Sequence, residues 1–172
     1  MNLLDYSREL SRMLPKKYHY QVHFVGGVLL NRRITDVDIF VYGRDAVNIQ
    51  ARLNGRCFSN NKELEVLDSL STDDFYDSKN NSLTEYILTQ GLVKNVPNYE
   101  FKRLTNEGMF LSKLAAFEQR EEQTLKDLTD IQIILGRFDY NIPKNLAKVI
   151  EDFDLSETYE RIMEYKNRYS YY

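Results

Sequence analysis

Cysteine, histidine and tryptophan are scarce in this chain. Its 172 residues include one cysteine, Cys57, two histidines, His19 and His23, and no tryptophan. One thiol excludes an intramolecular disulfide and a thiolate metal site. The two histidines alone argue against a zinc centre, because such centres rely on several histidine or cysteine ligands. The lack of disulfides is typical of a reducing compartment.

Long apolar runs and a strongly basic composition are also absent. No segment approaches the roughly 18 apolar residues of a membrane span, and the first ten residues carry Asp5, Arg8 and Glu9 where a signal segment would be apolar. The net charge of −3 argues against tight non-specific binding to nucleic acid. A surplus of carboxylates is compatible with a site for a hard cation. We therefore expect a cytoplasmic protein.

The apolar pattern divides the chain into two parts. Residues 1–104 mix strand and helical patterns, whereas residues 105–172 keep to helical spacing. We expect an α+β class, with a small mixed β-sheet core flanked by helices and a C-terminal helical region packed on that core. The predicted elements of the first part are a helix over 2–13, strands over 18–25, 37–43 and 63–68, a helix over 44–55, a polar loop over 72–82 and one or two strands within 84–104. The second part is predicted as two helices with a break near 121–124, followed by helices that begin near Pro143 and Ser156.

Two aspartates interrupt the second predicted strand, in the stretch "TDVDIFV". Asp36 and Asp38 are two residues apart, so their side chains share one face of a strand. Neighbouring carboxylates repel each other and are costly to desolvate unless a cation compensates them. Paired carboxylates are typical ligands of Mg²⁺, with substrate phosphates completing its shell. The alternative is that Asp36 caps a turn and Asp38 lies at a strand edge.

A third carboxylate, Glu65, lies in the next predicted strand, in "ELEVLD". That strand can neighbour the strand of the two aspartates, which would bring Glu65 to the same face. The alternative is that Glu65 points to water, and Asp68 is a weaker candidate at the strand end. The prediction is that oxygens of Asp36, Asp38 and Glu65 converge within reach of one cation.

A pair of glycines, Gly26 and Gly27, ends the first predicted strand, and about one helical turn is expected over 28–33. Glycine leaves the backbone accessible, and amide groups at a helix start can bind anionic oxygens. The pair is therefore a candidate phosphate cradle just ahead of the candidate metal ligands. The alternative is an ordinary turn.

The ordered combination of a strand, two glycines, a spacer, Asp-x-Asp and a later carboxylate resembles the motif of the polymerase-β-type nucleotidyltransferase superfamily. A second stretch, "FLSKLAAFEQREEQTLKDLTDIQIIL", is similar to a segment of the AbiEii-like nucleotidyltransferases that runs lysine, small residues, arginine and then Lys/Arg-Asp-x-x-Asp. Its matching positions are Lys113, Ala115, Arg120, Lys126, Asp127 and Asp130. Together the matches span about residues 19–137. The sequence departs from the group in its short spacer between Gly27 and Asp36 and in Gly27 itself, where a serine is often found.

The resemblance implies a nucleotidyltransferase core and a Mg²⁺-dependent transfer of a nucleoside monophosphate from an NTP to a hydroxyl. It implies that the catalytic metal ligands are Asp36, Asp38 and Glu65, and that the nucleotide is bound by Gly26, Gly27, Lys113 and Asp127. Without the resemblance, Lys113 would be read as a solvated helix lysine and Asp127 as the partner of a nearby base such as Arg120.

The acceptor implied by the resemblance is RNA such as tRNA, a protein side chain or a small molecule. The AbiEii-like relatives imply a toxin–antitoxin or phage-defence protein, with an antitoxin or a second copy of the chain as partner. One alternative is a catalytically inactive binding or regulatory module of the same fold, which the short spacer and the missing serine favour. Another is metal-dependent phosphodiester hydrolysis with the same carboxylates.

Overall fold

A computed structural model of the chain describes residues 1–30, 34–68, 78–120 and 125–169. Its internal contacts group into two units, Met1–Thr105 and Asn106–Tyr172. Among the described residues, the strands all belong to the first unit, and the second unit is helical.

The first unit begins with a capped helix and continues into a sheet. Its elements in chain order are α1 (Leu3–Met13), β1 (Val22–Phe24), β2 (Asp36–Val41), α2 (Ala46–Leu53), β3 (Glu63–Asp68), α3 (Ser78–Thr89), β4 (Val93–Asn95) and β5 (Lys102–Leu104). Short 3₁₀ segments cover Lys16–Gln21 and Gly26–Leu30. The Asn2 side chain accepts hydrogen bonds from the N–H groups of Leu4 and Asp5, and the Asp5 carboxylate accepts one from the N–H of Asn2. These reciprocal bonds satisfy the first turn of α1.

The strands form one mixed sheet in the order β3-β2-β1-β5-β4. β1 is antiparallel to β2 and β4 is antiparallel to β5, whereas β2 is parallel to β3 and β1 is parallel to β5. Parallel neighbours need a crossover connection, and α2 lies on the connection between β2 and β3. The mixed sheet with its helices confirms the α+β class predicted from the sequence.

Residues of β2 alternate between two different environments. Val37, Ile39 and Val41 are at most 2% exposed and belong to the core. Asp36 and Asp38 are half-buried and share the other face with Phe40, because side chains two apart in a strand point the same way. We call this second side of the sheet the site face.

The second unit consists of four helices in the described ranges: α4 (Asn106–Gln119), α5 (Leu125–Gly136), α6 (Lys144–Asp152) and α7 (Ser156–Tyr169). Phe110, Leu114 and Phe117, which the sequence places in one helical row, are fully buried in α4. The predicted break near 121–124 lies outside the described residues. No helix within the described residues combines the length and the hydrophobicity that a membrane span requires.

The strand predicted over 18–25 is wrong in its first half. Lys16–Gln21 is a 3₁₀ segment, and β1 is limited to Val22–Phe24. The segment follows Pro15, and the ring of His19 forms a hydrogen bond of 2.8 Å with the carbonyl of Leu14. Aromatic residues favour a strand in isolation, but tertiary contacts override that preference.

The loop predicted over 72–82 is wrong from residue 78 onward, because α3 covers Ser78–Thr89. Of the region 84–104, for which the sequence predicts one or two strands, α3 takes the first part, and β4 and β5 are the two strands. Leu83 and Ile87, four residues apart, are 3% and 4% exposed, as expected for one side of a helix. Serine, asparagine and threonine have weak helical propensity, so burial of this apolar side decides the conformation. The rest of the predicted loop, residues 72–77, lies outside the described residues.

Candidate metal centre

Three carboxylates from two neighbouring strands meet on the site face. Asp36 and Asp38 come from β2, and Glu65 comes from β3, directly opposite Asp38 in the parallel register. Each residue offers a carboxylate oxygen, and these oxygens all lie within 4.8 Å of one another. The predicted convergence of the three acids is therefore confirmed. Asp68, the weaker candidate, lies opposite Val41 at the far end of the strand pair.

The chemistry of this cluster fits a hard divalent cation. Asp36 and Asp38 are half-buried and Glu65 is exposed, so the cluster is open to solvent on the side of Glu65. Carboxylates at this spacing repel each other, and a cation between them would remove the repulsion. The donor atoms are all oxygens, which is the ligand type that Mg²⁺ prefers and which lacks the nitrogen or sulfur ligands of most zinc sites.

Gly26 lies against the carboxylate of Asp38. Its φ is +65°, and a Cβ built on it would lie 2.0 Å from Oδ2 of Asp38. The neighbouring N–H of Val25 donates a hydrogen bond of 3.0 Å to the carbonyl of Asp38, which holds the two segments together. A side chain at position 26 is therefore excluded twice, by the left-handed backbone and by the metal-ligand candidate beside it.

The two glycines open a 3₁₀ segment, Gly26–Leu30, in which Gly27 is buried. The helical turn predicted over 28–33 is thus a 3₁₀ turn as far as Leu30, and residues 31–33 lie outside the described residues. The contact with Asp38 explains the glycine at position 26 without a bound phosphate. The predicted role of Gly26 and Gly27 in nucleotide binding stays a prediction.

Two residues near the cluster escaped sequence reasoning. The hydroxyl of Thr35 donates a hydrogen bond of 3.0 Å to Oδ2 of Asp36, which orients that carboxylate. Glu63 is exposed and lies opposite Asp36 in the β2–β3 register, two residues before Glu65 in β3. The spacing Glu63-x-Glu65 repeats that of the two aspartates, but Glu63 does not belong to the cluster of three.

His23 lies further along the site face, opposite Phe40 of β2 and opposite Lys102 of β5. It is 2% exposed. Burial, and then the positive charge of Lys102, lower the pKa of His23 to about 4, although the carbonyls of Gln21 and Phe40 partly oppose the shift. His23 is therefore a neutral, buried imidazole near neutral pH.

The remaining predicted site residues lie in the second unit. The Lys113 ammonium of α4 is 2.8 Å from Oδ2 of Asp130 and 4.0 Å from Oδ1 of Asp127, both in α5. The guanidinium of Arg120 also pairs with Asp127. The two aspartate side chains are 1% exposed, and that of Lys113 is 17% exposed. Asp127 is therefore paired with Arg120, as expected for it without the family resemblance. The nucleotide-binding roles of Lys113 and Asp127 stay predictions.

Comparison of the chain with protein-family models gives no match, and comparison with curated proteins gives none either. Among solved structures, the chain is similar to an antigenic nucleotidyltransferase-like protein from Paracoccidioides brasiliensis, with 16% sequence identity and a TM-score of 0.44. The alignment covers 91% of this chain and 88% of that one. A likeness of this degree assigns neither a family nor an activity to this chain.

Proposed function

We propose that this protein is a Mg²⁺-dependent nucleotidyltransferase that moves a nucleoside monophosphate from an NTP to a hydroxyl acceptor. The observation that carries the proposal is the convergence of Asp36, Asp38 and Glu65 within 4.8 Å, beside the bare backbone of Gly26. A carboxylate cluster that is partly open to solvent can hold a cation that also binds substrate phosphates. The resemblance of the glycine pair and Asp-x-Asp motif to polymerase-β-type enzymes points to the same chemistry.

The three carboxylates would hold the cation. Bound there, Mg²⁺ would neutralise the negative charge of the triphosphate and of the pyrophosphate that leaves. Asp36 and Asp38 supply ligands from one rigid strand, and the hydroxyl of Thr35 keeps the Asp36 carboxylate oriented. Holding ligands on strands rather than on loops favours a fixed geometry.

In the proposed reaction the acceptor oxygen forms a bond to the α-phosphorus, and the bond from that phosphorus to the oxygen bridging to the β-phosphate breaks. Pyrophosphate leaves with the electron pair, and the acceptor hydroxyl gives up its proton. We assign acceptance of that proton to Glu65, the exposed carboxylate of the three. The backbone of Gly26 and Gly27 and the side chains of Lys113 and Asp127 are the proposed nucleotide contacts.

The proposed acceptors are RNA such as tRNA, a protein side chain or a small molecule. The resemblance to AbiEii-like enzymes supports a role in a toxin–antitoxin or phage-defence system, with an antitoxin or a second copy of the chain as partner. With a net charge of −3, binding to an RNA acceptor would depend on local basic groups rather than on the overall charge.

The test is incubation of the purified chain with each α-labelled NTP, Mg²⁺ and either total RNA or cell extract. Label should appear on a macromolecule or a small acceptor, and the transfer should disappear in Asp36→Asn and Asp38→Asn. Glu63→Gln is the matched control, because Glu63 is an acid beside Asp36 in the register but outside the cluster of three. It should retain most of the transfer.

The possible outcomes separate the candidate functions. Binding of an NTP without transfer to any acceptor would indicate a regulatory module instead of an enzyme. Release of nucleoside monophosphates from unlabelled nucleic acid would indicate hydrolysis. Transfer that survives in both aspartate variants would show that the carboxylate cluster is not the catalytic centre.

A further inference from the structure

A hydroxyl group of the chain borders the carboxylate cluster. Thr35 is exposed and directly precedes Asp36, the first residue of β2. Its Oγ1 donates a hydrogen bond of 3.0 Å to Oδ2 of Asp36. Asp36 belongs to the group of three acids whose carboxylate oxygens lie within 4.8 Å of one another. The chain therefore carries a hydroxyl of its own within one hydrogen bond of a carboxylate that would bind the cation.

The hydrogen bond between Thr35 and Asp36 has two effects. It orients the carboxylate, and it also directs the hydroxyl proton towards a base. A hydroxyl and a base about 2.6–3.2 Å apart form the pair that activates nucleophiles in covalent catalysis. Within the described residues, no group donates a hydrogen bond to Oγ1. The lone pairs of Oγ1 are therefore available to attack an electrophile.

The position of this hydroxyl matters because a cation at such a cluster also binds substrate phosphates. A phosphate that shares the ion with Asp36 would be a near neighbour of Thr35, since the Thr35 hydroxyl contacts the same carboxylate. A group held beside the reacting atoms reacts in preference to one from solution, because its proximity and orientation are already fixed. Thr35 is thus placed to compete with an acceptor that has to arrive by diffusion.

We propose that Thr35 is a site of self-modification, and that its hydroxyl accepts the nucleoside monophosphate when no other acceptor is bound. The inference rests on the proposed nucleotidyl transfer and adds an acceptor within the chain. Oγ1 of Thr35 forms a bond to the α-phosphorus, and the bond from that phosphorus to the oxygen bridging to the β-phosphate breaks. Pyrophosphate leaves with the electron pair. The hydroxyl proton passes along the existing hydrogen bond to Asp36 and from there to water.

The product would carry a phosphodiester in place of the Thr35 hydroxyl. It has no proton left to donate to Asp36, and it adds a negative charge beside the cluster. Like charges repel, and Asp36 loses the bond that orients it, so cation binding becomes weaker. Self-modification therefore switches the site off, and an external acceptor that reacts first keeps it on.

The experiment incubates the purified full chain with each α-labelled NTP and Mg²⁺ in the absence of any acceptor. Label should stay on the chain after denaturation, and tandem mass spectrometry should place it on Thr35. Trypsin releases residues 34–44 as one peptide, in which only Thr35 and Tyr42 carry hydroxyl groups. Hydroxylamine removes label from a carboxylate but not from a hydroxyl, so it identifies any adduct on the aspartates.

Two variants of Thr35 test the attacking atom. Thr35→Val has no oxygen and should lose the label, whereas Thr35→Ser should keep it on residue 35. Because Thr35→Val also lacks the bond to Asp36, every sample is assayed with Mg²⁺ at a concentration that calorimetry shows to be saturating. Self-label is expressed relative to the transfer that the same sample makes to total RNA or cell extract, so a general loss of activity does not count as loss of the acceptor.

Ser59→Ala is the matched control. Ser59 is likewise exposed, and its hydroxyl also donates a hydrogen bond to a carboxylate, that of Glu9. Glu9 does not belong to the cluster of three. The label should therefore be unchanged in Ser59→Ala. A fall in label would mean that any exposed hydroxyl with a carboxylate partner can accept the nucleotide, which would overturn the assignment to Thr35.

The modified chain gives a second readout that does not depend on turnover. Calorimetry with Mg²⁺ should show that the chain carrying the nucleotide binds the ion about tenfold more weakly than the unmodified chain, because one ligand is no longer oriented. Removal of the nucleotide with a phosphodiesterase should restore the affinity of the parent chain. Equal affinities before and after modification would overturn the proposed switch.

The outcomes distinguish this inference from the function on which it rests. Transfer to an external acceptor without label on Thr35, or with equal label in the parent chain and Thr35→Val, would overturn the inference and leave the proposed function in place. Absence of label from the chain, from RNA and from every small acceptor would overturn the proposed function and the inference together.

Discussion

Replacing Gly26 with alanine tests whether the glycine is required to seat Asp38. The backbone of Gly26 has φ +65°, and the added Cβ would lie 2.0 Å from Oδ2 of Asp38. A left-handed backbone costs a residue with a side chain about 1–2 kcal/mol. The overlap also forces the Asp38 carboxylate out of its place, which adds about 0.5–1.5 kcal/mol of rotamer strain. We expect Gly26→Ala to lower the free energy of unfolding by about 2–3 kcal/mol.

The same change should remove Asp38 from the carboxylate cluster. Titration with Mg²⁺ or Mn²⁺ followed by calorimetry should show affinity at least about tenfold weaker, because one charged ligand of three is displaced. Urea unfolding gives the stability of the same samples.

Gly55→Ala separates the two contributions. Gly55 has φ +69°, and a Cβ built there meets nothing within 4 Å. This variant should lose only the backbone share of stability, about 1–2 kcal/mol, and should bind the cation as the parent chain does. In an Asp38→Ala background, Gly26→Ala should likewise cost only the backbone share, because the overlapping Oδ2 is gone.

Equal losses of stability in Gly26→Ala and Gly55→Ala, together with unchanged cation affinity in both, would refute this reasoning. Such a result would mean that Asp38 can move aside freely, or that it does not bind the cation. The single variant Asp38→Ala decides between these explanations, since only the first predicts that it weakens cation binding.

Three further predictions concern other parts of the molecule. The pKa of His23 is lowered from 6.5 to about 4, so between these pH values the unfolded chain binds more protons than the folded chain. The free energy of unfolding should therefore fall by about 3 kcal/mol as the pH drops from 6.5 to 4. Urea unfolding of His23→Leu should lack this part of the dependence of stability on pH. Lys113→Met removes the cation that lies 2.8 Å from Asp130, and thermal or urea unfolding should show a loss of about 3 kcal/mol, because a buried carboxylate loses its compensation. Thr35→Val removes the hydrogen bond to Asp36, and calorimetry should show cation affinity about tenfold weaker, whereas Thr35→Ser should retain it.

The carboxylate cluster could be predicted because its causes are mostly local. Strand alternation puts Asp36 and Asp38 on one side of the sheet. Glu65 can join them as soon as its strand pairs with theirs. The exact pairing of Asp38 with Glu65 depends on the register between β2 and β3, which the sequence does not state. The reason for Gly26 was also hidden, because the contact with Asp38 joins residues that are distant in the chain and a glycine pair is equally typical of a phosphate loop.

The helical part shows the same limit. The spacing of Asp127 and Asp130 places them on one side of a helix, which the sequence gives directly. Their pairing with Lys113 depends on how α4 packs against α5. The spacing of residues within one helix does not predict how two helices pack. In α3, the polar residues Ser78–Ser82 suggest a loop, and only the burial of Leu83 and Ile87 reverses the choice.

The parallel pairing of β2 with β3 has a consequence for assembly of the fold. A slip of one residue between these strands would send Glu65 to the opposite side of the sheet, away from Asp36 and Asp38. A divalent ion would then bind the correctly aligned chain more tightly than any shifted alignment, and mass action would enrich it. A divalent ion bound by the three carboxylates would in this way also favour the correct strand alignment during folding.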